Sequence, residues 1–314
     1  MHVVVGATGG AGAAVVEELV ARGEKVLAVS RGGGAVAGAE GVAADASDQA
    51  RMREVCAGAS VVYNCVNPPF GQWMRVFPEV VRALSAAAGA AGAVLAFADD
   101  TWMYGRVDGP MREDTAVRPV TDFGVFRAWL AELTMAGHHR GEVRVVIARG
   151  GELYGPRVES VLGQNLFGRV VAGRRPVWLG DPELPITPTF IGDFARALVT
   201  VAADPAAHGE IWHVPNDVPT TGREFMGVLG AQVGKAAKPV TISSSRVWPL
   251  KAVSAVVRQG ASLLYQFEQP FVVDSGKFRS RYDFEPTRYD DGIARTIAWY
   301  RANPHLVRAG LVPR

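Results

Sequence analysis

Glycine residues near the amino terminus are spaced for contact with a phosphate group. The segment Gly6-Ala-Thr8-Gly9-Gly10-Ala-Gly12 follows a short valine run and opens a stretch of helical pattern. A glycine loop in this position can turn tightly, bring backbone N–H groups close to a pyrophosphate and seat it at the helix N-terminus. The segment therefore predicts a dinucleotide site, with a tight turn that holds no ligand as the alternative.

The residues after the second and third apolar runs predict which dinucleotide is held. Ser30 and Arg31 close the second run, where proteins that prefer NAD carry an acidic residue for the ribose 2′-hydroxyl. An arginine there favours the 2′-phosphate of NADP(H), unless it is an ordinary solvated side chain in a glycine-rich loop. Asp45 closes the third run and is placed to meet the adenine amino group. A helix N-cap at Asp45 or Ser47 is the alternative.

Short apolar runs alternate with helix-length stretches, which indicates right-handed βαβ units and a parallel sheet. The predicted strands lie at 2–5, 25–30, 41–44, 60–65, 94–98 and 143–148. The pattern is irregular after residue 156, and strand–helix form returns around 189–201 and 210–214. We therefore expect an α/β fold, a Rossmann doubly wound parallel sheet with a smaller, discontinuous C-terminal substrate lobe.

Domain boundaries follow from the same pattern. Residues 1–156 and 186–216 are predicted to form the NADP-binding domain, and residues 157–185 and 217–310 the substrate lobe. We interpret 311–314 as an expression-tag remnant. The apolar segment 246–270 is interrupted by charges, so we expect a core or lid helix rather than a membrane span.

Reacting groups in such a fold stand at the carboxyl ends of the strands. Asn64 and Val66 follow the fourth predicted strand and are expected to contact the cofactor. Asp100 and Thr101 follow the fifth strand, and Glu152 follows the sixth.

Two carboxylates beside an apolar cleft can acquire different pKa values and act as an acid and a base. We expect Trp73, Trp102 and Met103 to line that cleft. The alternative is that Asp99 or Asp100 caps the following turn and that Glu152 pairs with an arginine.

Several landmarks occur in a specific order along the chain. They are Tyr104-Gly105, Arg149 followed by Leu-Tyr-Gly-Pro-Arg at 153–157, Phe190-Ile-Gly-Asp193, and the closing segment 274–300. In this order, together with the glycine loop, they make the chain resemble the extended short-chain dehydrogenase/reductases, the NAD-dependent epimerase/dehydratase family. The resemblance covers nearly the whole chain.

The resemblance implies hydride transfer, assisted by a Ser or Thr four residues before the Tyr-Gly pair and a Tyr-x-x-x-Lys on the next helix. Here those positions hold Asp100, Phe123 and Arg127. Phenylalanine has no ionisable group, so it cannot relay the carbonyl proton. Arg127 can still donate to the nicotinamide ribose and supply positive charge, so it is a candidate for both catalysis and cofactor binding. Its alternative is a surface helical arginine.

The composition of the chain limits which binding partners are expected. With 314 residues, 48% hydrophobic, the chain can bury a large core, and a net charge of +2 makes nucleic acid an unexpected partner. The two cysteines form no metal-ligand pattern, so we expect no metal and a reduced, cytoplasmic location. No signal peptide or membrane segment is expected. The partners we expect are a small-molecule substrate and a second copy of the chain, because the family often pairs through the helices at 72–88 and 123–137.

Three functions remain open. The first is an NADP(H)-dependent oxidoreductase of the atypical extended short-chain type, with a relocated proton donor, acting on a small, fairly apolar carbonyl or enone. The second is a non-redox lyase or isomerase that keeps NADP as a structural group and uses Asp100 and Glu152. The third is a non-catalytic NADP(H)-binding sensor. Fold alone does not choose among them.

Overall fold

The computed structural model describes residues 1–34, 36–234, 239–242 and 262–307, and the chain divides into two units. Unit 1 consists of Met1–Met103, Asp122–Gly150 and Ile191–Val214. Unit 2 consists of Tyr104–Thr121, Gly151–Phe190 and Pro215–Arg314. Unit 2 is discontinuous and about as long as unit 1, whereas the sequence predicts a smaller substrate lobe.

Unit 1 is built on a seven-stranded sheet in which all strands are parallel. The strands are β1 (His2–Val5), β2 (Val26–Ser30), β3 (Glu40–Ala43), β4 (Val61–Asn64), β5 (Val94–Asp99), β6 (Arg144–Arg149) and β7 (Ile211–His213). Their order across the sheet is β7-β6-β5-β4-β1-β2-β3. Most residues of the central strands are buried, as expected for a parallel sheet covered on both faces. This confirms the predicted Rossmann-type α/β fold, and the strand ends differ from the prediction by only one or two residues.

Within the described ranges, five helices cover the sheet. They are α1 (Gly10–Ala21), α2 (Gln49–Val55), α3 (Trp73–Ala91), α4 (Asp122–His139) and α5 (Ile191–Ala203). Helix α1 packs on α5, while α2 packs on α3 and α3 on α4, which forms two helical layers. Short 3-10 turns lie at Phe70–Gln72, Trp102–Tyr104 and Pro205–Ala207.

Strand order reverses between β1 and β4, and the glycine loop lies at this switch point. Gly6 has a positive φ of 85°, and a Cβ there would lie 2.6 Å from the Cys65 carbonyl oxygen at the end of β4. A Cβ on Gly12 would overlap the Gly6 carbonyl oxygen. Both glycines are therefore required by the packing of the loop itself.

Unit 2 combines short strands and helices around an aromatic core. Its strands are Leu153–Tyr154, Val177–Leu179, Pro185–Ile186, Thr189–Phe190, Thr220–Thr221 and Val240–Ile242. A π-helix at Gly163–Gly168 continues as Arg169–Val171, and the other helices are Gly222–Gln232, Gly276–Arg281 and Tyr289–Ala302, with 3-10 turns at Leu263–Phe267 and Pro304–Leu306. The rings of Tyr154, Phe167 and Phe225 contact one another in the core.

Segment 104–121 marks the main difference from the predicted domain division. Sequence pattern places it in the nucleotide-binding domain, whereas it groups with unit 2. The physical reason is that the Met111 N–H donates to the Val272 carbonyl oxygen and the Met111 oxygen accepts from Asp274 N–H. The structure's boundaries at 150, 191 and 214 stand close to the predicted 156, 186 and 216. Most of the expected helix in 246–270, and the predicted tag remnant at 311–314, lie outside the described residues.

Candidate active site

The N-terminus of α1 is open to an anion. Gly9 is the N-cap and offers no side-chain acceptor, and the first turn carries no acidic residue. Thr8 and Gly9 are exposed, and a Cβ on Gly9 would make only an ordinary contact with the Gly6 carbonyl oxygen. The N–H groups at the start of α1, from Gly10 onward, can therefore meet a phosphate without competition from a capping carboxylate.

Ser30 is the last residue of β2, Arg31 follows it, and Asp45 lies just beyond β3. The Ser30 hydroxyl is buried and has no hydrogen-bond partner among the described residues. Arg31 is exposed, and within the part of the chain that the structure describes it makes no ion pair. It is near enough to Asp45 for its charge to help lower the pKa of that carboxyl, after the larger effect of the hydrogen bonds from Ser47.

Asp45 does not cap a helix. Its carboxylate accepts from the Ser47 N–H at 2.9 Å and from the Ser47 hydroxyl at 2.7 Å, which closes a local turn. The N-cap of α2 is Asp48, which accepts from the Arg51 N–H at 3.0 Å. The alternative N-cap at Asp45 or Ser47 is therefore wrong by one to three residues, because several Asx and Ser side chains compete in this loop.

Asn64 ends β4 with its side chain buried. Its carbonyl oxygen accepts from the Val66 N–H at 3.3 Å, which orients the amide. Its Nδ2 group is buried and has no hydrogen-bond partner among the described residues. The amide therefore keeps a donor for a bound group.

Four charged side chains meet at the ends of β5 and β6. Arg149 donates from Nε to Asp99 Oδ2 at 2.9 Å. Arg127 places Nη2 2.8 Å from Asp99 Oδ1 and Nε 2.8 Å from Asp100 Oδ2 in ion-pair contact. We call these four residues the Asp–Arg network. Two carboxylates and two guanidinium groups balance in charge, which the burial of the network requires.

Local structure explains why the network forms. Asp99 and Arg149 are register partners in the neighbouring strands β5 and β6. Arg127 lies in the second turn of α4, and its guanidinium also lies over the rings of Trp73 at 5.4 Å and Phe77 at 5.4 Å. The position is buried, so Arg127 is not the surface arginine of the alternative interpretation.

Asp100 is the member of the network that reaches solvent. One fifth of its side chain is exposed, and its Oδ1 accepts from the Trp102 N–H at 3.0 Å. Burial raises the pKa of Asp100 to about 6, against the lowering effect of Arg127 and with a smaller raising effect of Asp99. The carboxyl thus caps the next turn, as the alternative held, and is also tuned toward neutral pH.

Phe123 lies in a packed aromatic cluster instead of a polar relay. Its ring meets Phe70 edge-on at 5.1 Å and Trp73 at 5.4 Å, and Trp73 is nearly parallel to Trp102. Trp73 and Met103 are buried, whereas Phe70 and Trp102 are half-buried. Of the three residues expected to line an apolar cleft, only Trp102 is thus partly open to solvent.

Thr101 and Glu152 occupy different surroundings. The Thr101 hydroxyl is buried with no hydrogen-bond partner among the described residues. Glu152 belongs to unit 2, where its carboxylate accepts from the Val161 N–H at 2.9 Å. The structure thus joins Asp100 to Arg127, and the pairing of Asp100 with Glu152 stays a prediction.

Sequence reasoning missed the partnership of Asp99 and Arg149. The available signal was their position at the ends of neighbouring strands in a parallel sheet, where opposite charges can pair. In the described ranges no group of three or more His, Cys, Asp or Glu could hold a metal ion, and no helix is long and apolar enough to cross a membrane. Cys56 and Cys65 are free and buried, and burial raises the pKa of both thiols.

A model of the NAD-dependent epimerase/dehydratase family matches residues 2–214, which include the whole glycine loop and the Asp–Arg network. The chain belongs to this family. A dTDP-glucose 4,6-dehydratase of Actinoplanes sp. is 26% identical over 203 residues, 64% of this chain, and the match spans 58% of that enzyme's length.

Solved structures of extended short-chain dehydrogenase/reductases share the fold. A double mutant of dTDP-glucose 4,6-dehydratase from Streptomyces venezuelae, with NAD bound, has a TM-score of 0.77 at 20% identity and covers 97% of this chain and 98% of its own. UDP-glucose 4-epimerase from Thermotoga maritima, with UDP-glucose, has a TM-score of 0.77 at 18% identity and covers 97% and 100%.

We expect Arg127→Met to lower the free energy of unfolding at pH 7 by about 3–5 kcal/mol, because it leaves two buried carboxylates facing one arginine. The loss should shrink between pH 7 and 4, where Asp100 takes up its proton. Urea unfolding across this pH range measures both effects. Arg127→Lys should lose less, and Arg51→Met, in the exposed pair with Glu54, should change little. An equal loss in the Arg127 and Arg51 variants would contradict the role of the network.

Proposed function

We propose that the protein is an NADP(H)-dependent oxidoreductase that acts on a small, fairly apolar carbonyl or enone. The observation that carries the proposal is a set of buried polar atoms with no hydrogen-bond partner among the described residues: Ser30 Oγ, Asn64 Nδ2 and Thr101 Oγ1. They lie at or just after the carboxyl ends of β2, β4 and β5. An unsatisfied buried group costs about 1–3 kcal/mol, which a bound dinucleotide could relieve by pairing with it.

The residues present fit a dinucleotide. Gly6, Gly9, Gly10 and Gly12 shape the loop that would hold a pyrophosphate at the start of α1, with Thr8 exposed beside it. Ser30 and Asp45 would meet the adenosine half, and Asn64 and Val66 would line the approach to the nicotinamide half. The family's name refers to NAD, and the relative from Streptomyces venezuelae has NAD bound. The exposed cation of Arg31 leads us to propose NADP(H) for this chain.

Asp100 is the proposed proton donor. When bound, NADPH supplies a hydride to the carbonyl carbon. Asp100 then gives its proton to the carbonyl oxygen, so that the product is the alcohol. Solvent can return a proton to Asp100, since one fifth of this side chain is exposed. Its pKa of about 6 leaves both protonation states accessible near neutral pH.

Arg127 and Thr101 support this step in the proposal. Arg127 provides positive charge beside Asp100 and stands where the family's lysine contacts the ribose. Thr101 offers a buried hydroxyl one residue from Asp100. Glu152, committed to the Val161 N–H, is the weaker candidate for proton transfer. The lyase or isomerase alternative needs both carboxylates, whereas the proposed reduction needs only Asp100.

The aromatic cluster supports the proposed substrate class. Phe70 and Trp102 are nearly parallel, 6.3 Å apart, and each keeps part of its surface open. This apolar surface adjoins Asp100, because the Asp100 carboxylate accepts from the Trp102 N–H. A carbonyl compound with an apolar body would suit it. The relatives are named for nucleotide-sugar reactions, so nucleotide sugars are the competing substrates to test.

A non-catalytic NADP(H)-binding protein is the second candidate. It is favoured by one observation, that both oxygens of Asp100 already have partners in Arg127 and Trp102. Turnover would require Asp100 to exchange one of these partners for the substrate oxygen.

We also propose that the chain works in the cytoplasm as a homodimer. The described part of α3 and α4 exposes large apolar side chains: Met74 at 58%, Val125 at 55% and Trp129 at 41%. Apolar side chains on adjacent helices are typical of a surface that a second copy covers. The buried, free thiols suit a reducing compartment.

We expect NADPH to bind tenfold to a hundredfold more tightly than NADH, about 1.4–3 kcal/mol, because Arg31 can pair with the 2′-phosphate. Arg31→Asp should invert this preference. Calorimetric titration of both nucleotides tests the assignment, with Arg53→Asp on α2 as a charge-matched control. Equal affinities in the parent protein would show that NADP(H) is the wrong cofactor.

We expect Asp100→Asn to lower kcat by a factor of about 10²–10⁴ while NADPH affinity stays within about twofold, since an amide cannot donate the proton. The assay follows NADPH oxidation with aryl ketones, aliphatic ketones, enones and nucleotide sugars. Phe123→Tyr should not raise the rate, because the ring is held among aromatic side chains. Tight NADPH binding without turnover of any compound would favour the non-catalytic candidate, and a nucleotide-sugar preference would refute the apolar substrate.

We expect Trp129→Glu to shift a dimer toward monomer, because it places a charge on the apolar surface of α3 and α4. Sedimentation velocity over a concentration series measures the molecular mass. Val218→Glu, at a residue of unit 2 that is 70% exposed, is the control and should leave the dimer intact. A monomeric parent protein would disprove the homodimer.

A further inference from the structure

The Asp–Arg network contains two members, Asp99 and Arg149, for which the proposed reaction has no direct use. We propose that Asp99 and Arg149 are positioning residues that hold the Arg127 guanidinium against the Asp100 carboxylate. The inference rests on the proposed proton-donor role of Asp100. Asp99 and Arg149 would in addition fix the charge environment of the Asp100 carboxyl.

The contacts run in one direction from the interior to the surface. Arg149 Nε donates to Asp99 at 2.9 Å, Asp99 contacts Arg127 Nη2 at 2.8 Å, and Arg127 Nε contacts Asp100 at 2.8 Å. The exposed fractions of these side chains are 4% for Arg149, 0% for Asp99, 7% for Arg127 and 20% for Asp100. Asp100 is thus the end of the series that a substrate can reach, while Asp99 and Arg149 are joined to it by contacts through Arg127 and also act on it through their charges.

The sheet makes Asp99 a rigid anchor. Asp99 and Arg149 occupy opposite positions of β5 and β6, and the Gly150 N–H donates to the Asp99 carbonyl oxygen. Arginine side chains are long and adopt many rotamers, so a fixed carboxylate on a strand limits where the guanidinium can lie. The rings of Trp73, Phe77 and Phe97 enclose its remaining surface at 5.4–5.7 Å.

The charges that act on Asp100 are Arg127, Asp99 and Arg149, together with the Trp102 N–H dipole. Removal of Asp99's negative charge leaves two cations near one carboxylate, so Asp100 should hold its proton less tightly. Removal of Arg149 leaves Asp99 less compensated, so Asp100 should hold its proton more tightly. Opposite shifts from these two neighbouring residues would show that the pair, held on adjacent strands, sets the charge around Asp100.

The experiment is an NMR titration of protein labelled with ¹³C at the aspartate carboxyl carbons, with the Asp100 signal assigned from Asp100→Asn. We expect Asp99→Asn to weaken proton binding at Asp100 by about tenfold and Arg149→Met to strengthen it by about tenfold. Arg149→Lys, which keeps the charge, should restore most of the parent value and also serves if Arg149→Met does not fold.

Asp193→Asn is the matched control, because Asp193 is a buried aspartate of the same unit that pairs with Arg196 at 2.9 Å. It should lower stability without moving the Asp100 titration. Shifts in the same direction for Asp99→Asn and Arg149→Met, or shifts no larger than the control's, would falsify the inference.

The titration needs no substrate, so its outcome is separate from that of the proposed function. If the opposite shifts occur but Asp100→Asn keeps full turnover, the positioning role stands and the proton-donor role fails. If Asp100→Asn abolishes turnover without opposite shifts in the two variants, the proton donor stands and the positioning role fails.

Discussion

Charge balance inside a low-dielectric region constrains this molecule more than any other single interaction. A carboxylate such as that of Asp99, with no exposed surface, is tolerated only when cations and hydrogen bonds compensate it. Compensation by Arg127 and Arg149 connects α4, β5 and β6. The same ion pairs therefore fix the position of a helix relative to the sheet and the electrostatic field at the sheet's carboxyl edge. Structure and chemistry at this edge depend on one set of contacts.

The absence of a phenol at position 123 is consistent with this balance. A tyrosine that works with a lysine needs a polar, partly solvated surrounding for its hydroxyl. Here Trp73, Phe70 and Trp102 pack around the Phe123 ring, and the cation of Arg127 is directed toward two carboxylates. Aromatic side chains surround position 123, and the charged groups lie instead at the ends of β5 and β6. In the proposed reaction the proton therefore comes from Asp100, which follows β5, rather than from α4.

Much of the fold could be predicted from sequence because its signals are local. Valine runs and the glycine loop specify β1 to β6 and the start of α1, and the structure places these elements within a residue or two of the prediction. The membership of segment 104–121 could not be predicted, since it depends on backbone hydrogen bonds to residues near 272. Asp45 illustrates a similar limit in the site, because choosing among neighbouring Asp and Ser side chains for a cap requires knowledge of the turn geometry. The sequence shows Arg149 as one of the family landmarks, but its pairing with Asp99 depends on the register of β5 and β6.

The packing of Gly6 and Gly12 has a consequence for how such loops evolve. A Cβ on Gly6 would collide with the Cys65 carbonyl group, and a Cβ on Gly12 would collide with the Gly6 carbonyl group. Neither position can therefore accept a larger residue, whether or not a nucleotide is present. A descendant that had lost its ligand would retain both glycines for steric reasons alone. A Cβ on Gly9 would make only an ordinary contact with the Gly6 carbonyl oxygen, so Gly9 is free of that restriction. Drift at Gly9, rather than loss of the overall motif, would be the first mark in a lineage that had abandoned dinucleotide binding.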